Sequence, residues 1–490
     1  MNPQSTRHHP FSRRGFLTGV SAAGIALLAS ACSSGTASSP TVAPPAASTS
    51  APAPAPTTAP AKPTTAPTVA AKPTTASQSA AAQPTASAAP TGQRPRVTFT
   101  VPGGQSENGD FKPVFDAIAK QYPDIDAVYS PFNTGYTPEY MQKLLTTIAG
   151  NVAPDVFKIN PAPYFGTLAS QGTLIQLDPY VKADQSLDFE DYFTPHVEAC
   201  KFEGKLFALP NDGAPQGMWY NVDAFQKSSV ALPTKDWTWD DLLSAGKKLT
   251  KTSNGRPIQF GLGRPDWVSW VWSAGGDILD STGLKCLLDS PEAIAAFQWL
   301  QDASTKDKVM PSPADLNQQG DLFTTSREAT AFGVRGSLGT YRDIKTFHFD
   351  AQELPKGQKG RVAQLAIGYT SLWVKTKFPQ AAYTVAAFVA GKEGEKLRIS
   401  RGFAFPSRKS LVQQDWFQKY KAPMSASFGI NTAFADELIA GEARAWPVHP
   451  KGMQIQDAVN KQIDFLWDAK KPAPQIAKDM VAAVDAVLKG

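Results

Sequence analysis

Trp267, Trp270 and Trp272 crowd one short segment after Gly261-Leu262-Gly263-Arg264, in a chain with eleven tryptophans among 490 residues. Indole stacks on the apolar C–H face of a sugar ring, while planar amides, carboxylates and arginine give its hydroxyls directional hydrogen bonds. Stacking excludes water, and the polar groups select the isomer. If the segment is helical, Trp267 and Trp270 share a face and Trp272 does not. At least one of the three therefore belongs to packing. Polar groups of the required kinds stand at Gln105, Glu107 and Asn108 after a first predicted strand, at Asn160 after a third, and at Asn211, Asp212 and Arg335. Tyr136 and Tyr164 join these candidates. All of them are also ordinary loop residues.

A glycosidase would need two carboxylates facing each other across the bound sugar. No Ser-His-Asp order, nucleophile signature or metal motif is distinguishable, and Asp240-Asp241 sits where a helix N-terminus explains the pair. Past the first 92 residues only His196, His348 and His449 remain, widely separated, and no Cys/His cluster has ligand spacing. The expectation is a binding protein without catalytic residues, metal or cofactor; a secreted carbohydrate-active enzyme is the alternative from another class.

The elements that must position these groups start as an α/β rhythm. Val97 to Val101 reads as a strand ending at Pro102-Gly103-Gly104; an amphipathic stretch with Phe111, Phe115, Ile118, Ala119 and Tyr122 reads as a helix; Ile125 to Tyr129 reads as a second strand. Such a unit predicts a parallel pair. A helix carrying Met141, Leu144, Leu145 and Ile148 and a strand over Asp155 to Ile159 follow. Ligands of open parallel sheets collect beyond the carboxyl ends of the strands, here Gly103 to Asn108 and Asn160 to Tyr164. About 400 residues past the linker are too many for one core and suit two lobes.

The chain begins differently. Ser12-Arg13-Arg14-Gly15-Phe16-Leu17 opens an apolar, Gly/Ala-rich run ending at Ala29-Ser30-Ala31-Cys32. This order resembles a twin-arginine export signal over residues 1–31. Cys32 is the candidate lipidation site, although Ala29 stands where lipoprotein signals usually have Leu; without lipidation the product is secreted. Residues 32–92 are a Pro/Ala/Thr tract too poor in apolar residues to fold, and read as a semi-rigid spacer. Arg7, Arg13, Arg14, Lys62 and Lys72 are the only charged residues of 1–92. Removing these five from the 48 basic residues leaves 43 against 43 acidic ones, so the +5 charge belongs to leader and spacer. The neutral remainder carries no footprint for nucleic acid. Cys200 and Cys286 form one disulfide or stay buried and free.

Five blocks then stand in register: Ala153-Pro154-Asp155-Val156-Phe157, Gly172 to Pro179, Gly204 to Pro210, Trp219 to Phe225 and Trp237 to Leu242, with further matches at Ser273 to Gly276, Ala331 to Ser337 and Gly402 to Pro406. In this order the chain, over nearly all of 95–490, resembles the extracellular (family 1) solute-binding proteins of carbohydrate ABC transporters, the maltose-binding-protein-like group. The resemblance implies an α/β, bilobal, periplasmic-binding-protein type II-like fold, with central sheets flanked by helices and a hinge-bounded cleft. It places lobe 1 at 93–213 and 338–374 and lobe 2 at 214–337 and 375–490, with crossings near Gly213 to Gly217, Val334 to Ser337 and Trp373 to Thr376. It also places a stacking aromatic before Gly275-Gly276, where Trp270 is the first choice, and a late cleft aromatic at Trp446.

The implied function is capture of a mono- or oligosaccharide by an extracytoplasmic lipoprotein, a monomer, and delivery to an ABC transporter permease powered by its ATPase. Its only attachment to the membrane would be the lipid anchor. The same architecture captures polyamines, glycerol-phosphate-type solutes, ferric iron or peptides. The neutral domain and the Trp-rich segment favour a neutral polyhydroxylated ligand.

Overall fold

The computed structural model describes residues 94–317, 321–400, 404–427 and 430–490. The export signal, Cys32 and the spacer lie outside the described residues. Two sheets organise the chain. β1 (Arg96–Thr100), β2 (Asp126–Tyr129) and β3 (Val156–Ile159) are parallel, with β1 between the other two. The helix Gln105–Gln121 joins β1 to β2 and buries Phe111, Val114 and Ile118. A small hairpin of β4 (Lys201–Phe202) and β5 (Lys205–Leu206) turns at Glu203-Gly204 and leads to β6 (Leu209–Pro215). β6 then passes through Gln216 alone into β7 (Gly217–Asn221).

After a hairpin of β8 (Lys251–Ser253) and β9 (Arg256–Gln259), β10 (Thr330–Gly333) and β11 (Phe349–Gln352) flank β7 antiparallel, completing the second sheet. β12 (Ala363–Leu372) returns to the first sheet between β3 and β6, antiparallel to both, and β13 (Ala443–Ala445) pairs parallel with its start.

Alternation along β7 decides what each face of the second sheet meets. Met218 joins the core of the second lobe, built from the helices Trp239–Leu249, Trp267–Ala274, Pro291–Gln301, Gly452–Ile463 and Ala473–Lys489. Trp219 points the other way, against Tyr341, Phe349 and Phe434, and so extends the first core beneath both sheets. Thr238 caps its helix as its type predicts, closing a capping box with Asp241.

The predicted crossings need two corrections. The chain stays with the second sheet through β11 and returns between Gln352 and Ala363, later than Val334 to Ser337, because β11 adds a strand to β7. The helices Pro379–Ala390 and Lys392–Ile399 pack on the first sheet and on Gln105–Gln121, so no crossing to lobe 2 occurs at Trp373 to Thr376. Cys200 and Cys286 are both buried and free, one in each core, so neither forms a disulfide.

Candidate functional site

Beyond the carboxyl ends of β1 and β3, a run of polar side chains crosses the first sheet. Glu107, in the first turn of its helix and 2 % exposed, accepts hydrogen bonds from the Gly103 N–H at 3.0 Å and the Tyr136 hydroxyl at 2.7 Å. The Tyr136 oxygen accepts in turn from Lys158 Nζ at 2.9 Å, and the ammonium also lies over the Tyr136 ring. Lys158 Nζ donates to Asp212 Oδ2 at 2.8 Å, and Arg398 Nη1 donates to the same oxygen at 2.7 Å. Arg398 further donates to the Asn211 carbonyl and lies over the Phe111 ring.

Glycine is required where this run crosses β12. A Cβ on Gly368 would fall 2.3 Å from Asp212 Oδ1, 2.4 Å from Asn211 Oδ1 and 2.7 Å from Lys158 Cε. Burial by itself raises the Asp212 carboxyl, but the charges and hydrogen bonds of Lys158 and Arg398 outweigh it and hold the group at about 2. The Tyr136 hydroxyl is pushed well above its ordinary value, first by desolvation and then by Glu107 and Asp212. Its oxygen is engaged by Glu107 and Lys158 while the residue as a whole stays 48 % exposed, so the ring offers a surface to solvent. The Asn211 amide is buried and neither of its atoms has a partner among the described residues.

A second group forms where the cores meet. The loop after β3 carries Asn160, half-buried and joined to Pro161 by a cis peptide bond, then Ala162, which packs against both cores. Tyr164 follows in the helix Pro163–Ser170, half-buried, its hydroxyl raised by burial and by Asp457. This helix touches the second lobe closely: a Cβ on Gly166 would lie 2.5 Å from the His449 carbonyl oxygen. Trp446, 6 % exposed, meets the half-buried Trp267 edge to face, ring centres 6.0 Å apart at 87°.

Glu107, Asp212 and Tyr136 thus share one network, with Asn160 at the end of the neighbouring strand. The side chains of Gln105 and Asn108 lie outside the described residues. Trp270 lies elsewhere: it is 1 % exposed, stacked on Trp239 at 5.6 Å and 7°, with Trp299 and Phe332 against it. Its helix turns that face into the second core, so the ring is packing and not a platform. Arg335 is fully buried too. It donates to Asn431 Oδ1 at 2.8 Å and to the Ala404 carbonyl and lies over Phe417 and Tyr420, so it braces these segments against β10. Lys158 and Arg398 are not among the sequence candidates; a lysine inside the strand Val156-Phe157-Lys158-Ile159 is the available signal for the first of them.

Residues 104–407 match the family of bacterial extracellular solute-binding proteins, and the chain belongs to that family. Among curated relatives, the sn-glycerol-3-phosphate-binding periplasmic protein UgpB of Escherichia coli (strain K12) is 24 % identical over 416 residues, covering 78 % of this chain and 90 % of the relative. Among solved structures, an ABC substrate-binding protein of Listeria monocytogenes in complex with cycloalternan superposes with a TM-score of 0.72 at 24 % identity, covering 81 % of this chain and 99 % of that one. UgpB of Mycobacterium tuberculosis in complex with glycerophosphocholine gives 0.68 at 17 %, over 81 % and 99 %. The bilobal architecture is common to them.

Proposed function

We propose that this solute-binding protein captures a neutral mono- or oligosaccharide between its lobes and delivers it to an ABC permease. The observation that carries the reading is the closure of charge within the site. Lys158 and Arg398, the two cations of the network, both spend themselves on Asp212, at 2.8 and 2.7 Å. With Glu107 the network holds two acids and two bases. A phosphate would have to displace Asp212 to reach them. What remains to meet a ligand is the half-exposed face of Tyr136, the Asn160 amide, Tyr164 and the edge of Trp267, which suit hydroxyls and C–H faces.

Capture involves no chemistry on the ligand. A ligand that contacts both lobes binds the closed form better and shifts the hinge equilibrium toward it. Closure would bend the single-residue link between β6 and β7 at Gln216 and the segment from Gln352 to Ala363. The Arg13-Arg14 signal would export the protein, and lipidated Cys32 with the spacer would then hold it, as a monomer, near its permease while letting it swing.

Capture of a glycerol-phosphate-type solute is the second reading, supported by the likeness to UgpB of Escherichia coli. A thermal-shift panel separates the two. Neutral sugars at about 100 times Kd add about 2.7 kcal/mol and raise the melting temperature. A rise with sn-glycerol 3-phosphate that Asn160→Ala or Tyr136→Ala lowers, and none with any sugar, would establish the second reading, and conversion of a sugar to product would overturn both.

A further inference from the structure

At the opposite end of the first sheet the surface opens into a pocket of about 400 Å³ lined by Arg96, Thr98, Asn151, Asp155, Trp373, Lys375, Lys377 and Phe378. Topology separates it from the site above. Arg96 and Thr98 stand at the start of β1, and Asp155 immediately precedes β3. β12 runs antiparallel to β3, so the segment after Leu372, which supplies Trp373, Lys375, Lys377 and Phe378, lies at that same amino end.

The charge here is unbalanced, unlike that of the network. Three cations line the pocket against one carboxylate, and that carboxylate is committed to the fold. Asp155 Oδ2 accepts from the Thr98 N–H at 2.9 Å and the Thr98 hydroxyl at 2.8 Å, and Oδ1 accepts from the Thr376 hydroxyl at 2.6 Å. Lys375 Nζ donates to the neutral Asn151 Oδ1 at 2.5 Å, and among the described residues neither Lys375 nor Lys377 has an ion pair. Arg96 shares Asp126 at 3.3 Å, where both groups face solvent. Trp373 and Phe378 give the pocket apolar walls, and its volume exceeds what a bare oxyanion fills.

We propose that this pocket binds an organic phosphate monoester, the dianionic phosphate between Lys375, Lys377 and Arg96 and the organic part against Trp373 and Phe378. Two sources share this chemistry, a free metabolite and the headgroup of a phosphatidic-acid-type lipid. Both lysines are exposed, so Lys375→Ala/Lys377→Ala leaves the core untouched, which an unchanged melting temperature verifies. Calorimetric titration of the full chain with phenyl phosphate, beside flotation with phosphatidylcholine vesicles with and without phosphatidic acid, tests the assignment. Saturable phenyl phosphate binding that the double substitution weakens at least tenfold supports the pocket with a free ligand. Binding only to the phosphatidic acid vesicles, lost in the double variant, supports it with a lipid headgroup. Absence of both, or binding that the substitutions leave unchanged, overturns it.

Discussion

Lys158 on β3 and Asp212 on β6 form an ion pair at 2.8 Å across the intervening β12, over the backbone of Gly368. Two strands that do not touch are thereby tied at the level of the site, through a gap that only glycine leaves. Gly368→Ala should place a methyl between the charges and lower stability by about 3 kcal/mol or more, read by urea denaturation, since opening a buried pair costs more than simple overpacking.

Asp212→Asn should cost about 3–5 kcal/mol, because it leaves two buried cations, Lys158 and Arg398, without their counter-charge. Replacing Lys158 by Met in the same background should recover part of that loss, whereas independent effects would simply add.

Stability should depend on pH from two sides. Asp212 is held at about 2, below the ordinary 3.8 of its type, so its contribution is present above about 4 and is lost as pH falls toward 2. Glu328 and Glu395 go the other way, raised by burial to about 8. Their neutral forms suit the fold, so their contribution is complete below about 4.5 and drains away as pH rises to about 8. The melting temperature should therefore decline from pH 5 to pH 8, and Glu328→Gln should flatten part of that slope.

The two neighbouring tryptophans should separate by experiment. Trp270→Ala removes a fully packed ring and should cost about 3–5 kcal/mol of stability. Trp267→Ala, at a half-buried position, should cost less stability and weaken sugar binding about threefold to tenfold, the size of a lost stacking contact. Equal effects of both substitutions on affinity at unchanged stability would contradict these roles.

Burial raises the Cys286 thiol to about 11 and holds the Cys200 thiol well above its ordinary value. Neither should react with a thiol reagent until the protein unfolds, and a reductant should leave the melting temperature unchanged.

Local rules made much of the first sheet legible. The β1, helix, β2 unit follows from two strand-like runs around one amphipathic stretch, and the helix start at Asp240-Asp241 from a pair of acids that suits a first turn. Both depend on neighbours in sequence. Long-range pairing was not legible: β11 joins β7 across more than a hundred residues, so the second crossing was expected too early, and Arg398 reaches Asp212 from 186 residues away. Helical spacing correctly joined Trp267 to Trp270 on adjoining turns, but periodicity cannot tell a face that meets protein from one that meets ligand. Only the packing of Trp239, Trp299 and Phe332 around Trp270 decides that.

Calorimetric titration of the purified protein with neutral sugars, sn-glycerol 3-phosphate and spermidine tests the central claim most directly. The account predicts saturable one-to-one binding of at least one sugar, weakened by Trp267→Ala, with the ligand recovered unchanged. Binding of the phosphate ester or the polyamine with no response to any sugar would contradict it.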